Sequence, residues 1–196
     1  MPPEIGAAYA PYLAASLIWT IFGLSWLAAA LWRGRQVTAV RPSSYRAQLV
    51  MASVGYLALF VEAPPLRHRL WLPPLAAQWG MVVLVVLGTG LAWWARIHLG
   101  ALWSGGIVRR EGHRVVDSGP YAMVRHPIYT GLILGAIGVA AIKATPVAII
   151  GALLIAFGFG RKARMEERFL AAELGEDAYA AYRARVPMLV PFAPTR

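Results

Sequence analysis

The 196-residue sequence contains no cysteine, and only 14% of its residues are charged. Without cysteine the chain has no disulfide, no thiolate nucleophile and no cysteine-ligated metal. Soluble domains carry about a quarter charged residues, so this low charge, with a hydrophobic content of 59%, predicts a membrane protein. The four histidines stand apart and form no HExxH-like pair, so we predict no metal site.

The formal net charge of +10 does not by itself indicate nucleic-acid binding. The cations lie at the ends of apolar segments, as the positive-inside rule requires of a membrane protein, and we therefore predict no nucleic-acid partner. No internal repeat is evident, and a single membrane domain over residues 1–196 accounts for the chain. The apolar stretch 9–32 is long enough to span and follows no basic segment, so we predict no cleavable signal peptide.

The apolar segments predict an all-α fold, a polytopic membrane helix bundle of about five transmembrane helices. About twenty residues cross the hydrocarbon core. The predicted spans are 9–32, 49–61 (short for a full crossing), 75–97, 127–142 and 146–160. The corresponding parts are the first three spans (1–97), a cytoplasmic loop (98–126), a helical hairpin (127–160) and a cytoplasmic helical tail (161–196). Most cations then lie on one side, which predicts an N-terminus outside and a cytoplasmic C-terminus.

Two smaller features concern contacts within the bundle. Glu62 follows the second apolar segment, and we expect it to pair with Arg67 or Arg69. The glycines of the hairpin suit either close helix contact or the approach of a flat ligand to the backbone.

The polar parts of the chain are expected to be less regular. The loop 98–124 carries glycine, serine and arginine and predicts irregular structure with a short extended piece. In the tail, Gly175 is typical of a helix stop, and residues 177–183 predict a second short helix that ends before Pro187.

The most chemically loaded stretch covers residues 117–135, DSGPYAMVRHPIYTGLILG. Proline is well placed in the first turn of a helix, so Pro127 predicts a helix start, with Arg125 and His126 at the mouth of the helix, that is, at its N-terminus. A helix N-terminus favours an anionic ligand group, and Tyr121 and Tyr129 flank this mouth. The alternative is a basic membrane border with tyrosines in the interfacial belt.

Glu166 and Glu167 stand together where the last span emerges into the cytoplasm. Adjacent helical residues point about 100° apart, so we expect at most one of them to face inward. The hairpin brings its own start and end together, which predicts that the glutamates lie near Arg125 and His126. A zwitterion with a carboxylate and an ammonium group would satisfy both clusters. The alternative is a solvated charge cluster next to the membrane.

The run SGPYAMVRHPIYTG, followed by EERFLAAELGEDAYAAYRARVPMLVP, resembles the isoprenylcysteine carboxyl methyltransferase family in its short prokaryotic-type form. It is also similar to the related phospholipid N-methyltransferases. The resemblance implies an integral membrane enzyme that uses S-adenosyl-L-methionine, held by the last spans and the tail. No strand–GxGxxG–helix unit for a Rossmann-type domain is present. The implied reaction is methyl transfer at the cytoplasmic membrane border to a lipophilic or lipid-modified acceptor, with a carboxylate as the acceptor group.

The same resemblance implies roles for individual residues. The implied substrate side comprises Trp103, Ser104 and Arg125, and Arg125 would bind a carboxylate of substrate or cofactor. Arg125 and Glu167 are the implied catalytic residues. The implied cofactor pocket is lined by Tyr121, His126, Pro127, Tyr129, Gly131, Glu166, Glu167, Tyr179 and Tyr182.

Two other functions are compatible with the sequence. One is a membrane reductase of the steroid-reductase-like type, with NADPH bound in a similar C-terminal pocket. The other is a non-enzymatic membrane scaffold whose charged tail docks a partner.

Overall fold

The computed structural model describes residues 3–29, 36–39, 43–103, 108–110, 116–174 and 176–195. The helices in these ranges are α1 (Pro3–Ala29), α2 (Ser43–Phe60), α3 (Leu75–Leu99), α4 (Pro127–Lys143), α5 (Pro146–Leu174) and α6 (Glu176–Arg185). Two short strands, β1 (Gln36–Ala39) and β2 (Val108–Arg110), pair antiparallel. The predicted helix bundle is thus confirmed.

By length and composition, three of the described helices can cross a membrane: α1 from Tyr9 on, α3, and α5 as far as Ala172. The apolar parts of α2 and α4 are shorter, Arg46–Phe60 and Pro127–Lys143. The outer faces of α1, α2, α3 and α5 carry large exposed apolar side chains. Such a surface is stable against lipid and not against water, which places the bundle in a membrane.

Helix α4 lies at the centre of the bundle and packs against α1, α2, α3 and α5. Most of its side chains are buried. Its 17 residues span only about 25 Å at 1.5 Å per residue. Because protein and not lipid surrounds α4, it does not need the full length of a hydrophobic span.

Glycines set the distance between the central helices. A Cβ on Gly131 would overlap the carbonyl oxygen of Gly88 on α3 and lie 2.9 Å from the Ala92 nitrogen. Between α2 and α5, a Cβ on Gly55 would lie 2.8 Å from the Gly151 oxygen. Of the two interpretations of the hairpin glycines, close helix contact therefore applies to Gly131 and Gly151. A side chain at Gly131 would thus meet α3, and the predicted place of Gly131 in a cofactor pocket stays a prediction.

Outside the bundle the tail helices follow the sequence prediction closely, and one strand pairing was not predicted. Helix α5 continues without a break past residue 160 and ends at Leu174, and the predicted stop, Gly175, lies outside the described residues. The second tail helix is slightly longer than predicted. The extended piece of the 98–124 loop is β2, and its pairing with β1 was not predicted. The pair joins the connection after α1 to the loop after α3, so both emerge on the same side of the bundle.

At the other end of α4 the Lys143 ammonium lies 2.8 Å from a Glu62 carboxylate oxygen and donates to the Val61 carbonyl at 2.8 Å. The predicted partner Arg67 is 3.6 Å from the other Glu62 oxygen and is largely exposed. Partial burial alone would raise the pKa of Glu62, but hydrogen bonds from Lys143 and Tyr12 outweigh it and lower the pKa below its usual value. The expected pairing with arginine is thus present, but the shorter contact is with Lys143.

Candidate active site

Arg125 and His126 lie at the N-terminus of α4, and both are buried. Pro127 is the first residue of the helix, as predicted, and His126 precedes it with a non-helical backbone. Proline at this position has no N–H to satisfy, and its ring fixes φ for the first turn. The sequence therefore fixes where α4 begins and points the two preceding side chains into the end of the bundle.

The Arg125 guanidinium binds a carboxylate and two backbone carbonyls. Its Nε donates to Glu167 Oε1 at 2.7 Å, and both side chains are more than nine-tenths buried. A terminal nitrogen donates to the Arg183 carbonyl at 3.2 Å and to the Val186 carbonyl. Arg125 was predicted to bind a ligand carboxylate, and this stays a prediction. Its donors connect α5 to the tail, so its role in the structure is to position Glu167.

His126 lies between the two glutamates. Its Nε2 is 3.2 Å from Glu167 Oε1, and its Nδ1 is 3.7 Å from Glu166 Oε2. The expectation that at most one glutamate faces inward is wrong. The side chains leave α5 about 100° apart, but each is long enough to reach around to the one ring that lies between them.

Tyr129 continues this cluster one turn into α4. Its hydroxyl donates to Glu166 Oε1 at 2.6 Å. Its ring stacks on His126 with centroids 5.4 Å apart and on Phe159 of α5 with centroids 5.0 Å apart. Lys162 Nζ lies 5.1 Å from the centre of the same ring and 3.9 Å from Glu166 Oε1. Two carboxylates, a cation, an imidazole and a stack of aromatic rings thus meet at one end of the hairpin.

Phe159 and Lys162 were missed by the sequence reasoning. Both lie one or two helical turns before the glutamates on α5, on the side that faces α4. The spacing of Lys162 to Glu166 is the i, i+4 spacing that joins neighbours on a helix surface. This spacing was visible in the sequence and would have identified Lys162.

The C-terminal tail closes over the mouth of α4. The Arg125 and His126 amides donate to the Pro187 and Met188 carbonyls at 2.8 and 3.1 Å. The Thr130 hydroxyl donates to the Leu189 carbonyl at 2.7 Å. The tail backbone thus takes the two amides that precede the helix, and the anion site expected at the N-terminus of α4 stays a prediction.

Tyr179 and Tyr182 share one face of α6, as expected, and both are buried in a small apolar cluster with Val186. The Tyr182 hydroxyl donates to the Tyr121 carbonyl at 2.7 Å, which attaches α6 to the turn before α4. The Tyr121 hydroxyl in turn points to the Ala95 carbonyl of α3 at 3.5 Å. Burial raises the pKa of all three phenols above its usual value, so each hydroxyl stays protonated near neutrality and can donate. Tyr182 and Tyr121 thus hold the tail against the turn before α4 and against α3.

Of the three predicted substrate residues, Arg125 lies in the cluster, Trp103 lies elsewhere, and Ser104 is outside the described ranges. Trp103 is buried between α1 and α3, where the Arg96 guanidinium lies 3.6 Å from its ring centre and Trp26 packs edge-on. Ser104 lies outside the described residues. The structure therefore does not bring Trp103 together with the glutamate cluster.

Comparisons with known proteins agree with the fold. The model of the isoprenylcysteine carboxyl methyltransferase (ICMT) family matches residues 81–172, which include the start of α4 and both glutamates. Protein-S-isoprenylcysteine O-methyltransferase B of Arabidopsis thaliana is 28% identical over 76% of this chain and 74% of its own length. A cobalt-zinc-cadmium resistance protein of Cupriavidus metallidurans is 34% identical over 62% of this chain, which spans about half of that protein (51%).

The solved structure of the eukaryotic intramembrane Ras methyltransferase ICMT superposes with a TM-score of 0.67 at 21% identity, over 95% of this chain and 68% of that one. At this identity the likeness establishes a shared fold. The family match, the methyltransferase relatives and the fold agree with one another and confirm the predicted family and the predicted enzyme class. The chain belongs to the isoprenylcysteine carboxyl methyltransferase family.

Proposed function

We propose that the chain transfers a methyl group from S-adenosyl-L-methionine to a carboxylate on a lipophilic, isoprenylcysteine-like acceptor at the cytoplasmic border of the membrane. The observation that carries this proposal is the cluster in which Glu166, Glu167, His126, Tyr129 and Lys162 meet at one end of the hairpin. The named methyltransferase relatives support the reaction type.

The groups in the cluster fit a methyl donor of this kind. Such a donor has an ammonium, a carboxylate, ribose hydroxyls and an adenine ring. Glu166 is the more exposed of the two glutamates and can accept from an ammonium or a hydroxyl. Lys162 offers the cation for a carboxylate, and the aromatic stack of Tyr129 and Phe159 offers a surface for a flat ring.

When bound, the donor supplies a sulfonium methyl, and the acceptor oxygen takes this methyl as the carbon–sulfur bond breaks with its electron pair left on sulfur. No proton moves in this exchange, so the chain does not need a general base. Its residues contribute alignment of the two reactants and exclusion of water. Glu167 is already paired with Arg125 and His126, and we assign it to holding the cluster in place.

The acceptor approaches from the lipid, because the outer faces of the spans are apolar and the cluster lies at one end of the bundle. We place this end in the cytoplasm, with the N-terminus of α1 on the other side, since the loop after α1, the 98–124 loop and the tail carry most of the arginines.

The proposal is tested by ligand binding to the purified full-length protein in detergent. We expect S-adenosylhomocysteine to bind in isothermal titration and to raise the melting temperature, and we expect NADPH to do neither. Glu166→Gln should weaken S-adenosylhomocysteine at least about tenfold, because a hydrogen bond to a charged group is lost. Asp117→Asn is the matched control, since Asp117 is an exposed carboxylate bound to Arg185 at 3.2 Å.

Stabilisation by NADPH alone would indicate the reductase, and wild-type affinity in Glu166→Gln and His126→Ala would refute the site. The acceptor class follows from labelled methyl transfer. A carboxyl methyl ester releases methanol in base, whereas a methylated amine or thiol does not. We expect base-labile label on a prenylcysteine analogue, and base-stable label would contradict the carboxylate acceptor.

A further inference from the structure

One face of α5 changes from apolar to basic along its length. Its exposed large apolar side chains are Ile150, Leu153 and Phe157, each more than half exposed. The exposed side chains that continue this face are Arg161, Arg164 and Arg168. The spacings along the six positions are three, four, four, three and four residues, which keep them on a single side of a straight α-helix.

The opposite side of α5 faces protein over the same length. Ala152, Ile155, Ala163 and Glu167 are buried there. The six exposed positions therefore lie on the outer surface of the bundle.

The lengths of the two parts match the layers of a membrane leaflet. From Ile150 to Arg161 the helix rises about 16 Å, and from Arg161 to Arg168 about 10 Å. The hydrocarbon half of a bilayer is about 15 Å thick and is followed by a polar headgroup layer. The Arg161 guanidinium lies 5.8 Å from the ring centre of Phe157, so the first arginine of this face is next to its last apolar side chain.

The charge of the basic part is not offset on its own face. The glutamates of α5 with described side chains turn inward, where Glu166 binds Tyr129 and Glu167 binds Arg125. No exposed acidic side chain occupies the described part of this face, between residues 150 and 172. Arginine guanidinium groups present a donor fork that matches phosphate oxygens.

We propose that Arg161, Arg164 and Arg168 bind the headgroup phosphates of anionic phospholipids in the leaflet next to the glutamate cluster. The acyl chains of these lipids lie along Ile150, Leu153 and Phe157. This lipid contact holds α5 at a fixed depth and is independent of the methyl-transfer proposal, because none of the six side chains belongs to the polar cluster.

The test uses the purified full-length protein and native mass spectrometry with added lipid. We expect phosphatidylglycerol to bind more tightly than phosphatidylcholine of the same chain length. Arg161→Gln/Arg164→Gln/Arg168→Gln should reduce phosphatidylglycerol binding about tenfold or more, since each cation near an anionic surface contributes several-fold. The charge-matched control is Arg67→Gln/Arg69→Gln/Arg185→Gln, which should leave the preference unchanged.

Three outcomes would overturn the proposal. They are equal binding of the two lipids, wild-type phosphatidylglycerol binding by the α5 variant, and an equal loss in the control variant. Millimolar inorganic phosphate is included as a competitor, and complete displacement of the lipid by it would indicate a free-phosphate site and overturn the lipid assignment. Far-ultraviolet circular dichroism and an unchanged melting temperature in detergent without added lipid confirm that the α5 variant is folded.

Discussion

Replacing Gly131 by alanine tests whether this glycine packs helices or lines a ligand pocket. The new Cβ would lie 2.9 Å from the Ala92 nitrogen and closer still to the Gly88 carbonyl oxygen, whereas ordinary contact begins near 3.4 Å. Because the neighbours are backbone atoms, α3 and α4 must separate by at least about half an ångström. Overpacking of this kind costs typically about 1–3 kcal/mol, and the helix preference of alanine over glycine offsets about 0.5–1 kcal/mol. We therefore expect a net loss of about 1–2 kcal/mol in the free energy of unfolding.

The measurement is a sodium dodecyl sulfate titration in mixed micelles, followed by tryptophan fluorescence. Gly90→Ala is the matched control, because it lies on an apolar helix and a Cβ there meets nothing within 4 Å. It should lose no stability. If Gly131→Ala unfolds with the same free energy as the wild type but binds S-adenosylhomocysteine more weakly, the packing role is refuted. The result would then support a place for Gly131 in the cofactor pocket.

Two further predictions concern the ion pairs at the two ends of α4. Arg125→Met should lower the free energy of unfolding by about 3 kcal/mol. This is the low end for a broken buried pair, because His126 still neighbours Glu167. The double variant Arg125→Met/Glu167→Gln should cost less than the sum of the single changes, and additive losses would refute the pairing. At the other end, the lowered pKa of Glu62 predicts stability that is fully present above the unfolded value near 4.5 and is lost as pH falls through the lower folded value. The difference in stability between wild type and Glu62→Gln should therefore shrink below pH 4.5, and a difference independent of pH would contradict the contact with Lys143.

The meeting of the basic and acidic clusters could be predicted because a hairpin has few degrees of freedom. Helices α4 and α5 are joined only by Ala144 and Thr145, so positions equally far from this turn along the two helices come together. Tyr129 and Phe159 are such a pair, and they stack. The register of an antiparallel pair follows from sequence distance alone, without knowledge of the other helices.

The partners of individual side chains could not be predicted in this way. Arg125 was expected to bind a ligand, but the nearest acceptors are supplied by the tail carbonyls and Glu167. The path of the tail depends on tertiary packing of Tyr182 against the turn before α4, and no local pattern specifies it. What Gly131 contacts could not be predicted for the same reason, because a glycine allows close approach of either a neighbouring backbone or a ligand.

The tail and the hairpin contribute differently to the site. Helices α4 and α5, with the two residues before α4, supply most of the charged and aromatic groups of the cluster, and the family match covers them but ends at residue 172. From the tail, the Arg183 Nε lies 3.8 Å from Glu167 Oε2. The tail adds mainly backbone carbonyls, which bind the Arg125 and His126 amides and the Arg125 guanidinium. Carbonyl contacts depend on the path of the chain and little on side-chain identity. Side-chain identity in the tail therefore matters mainly where Tyr182 and Arg183 make their contacts, whereas each group of the cluster binds a specific partner.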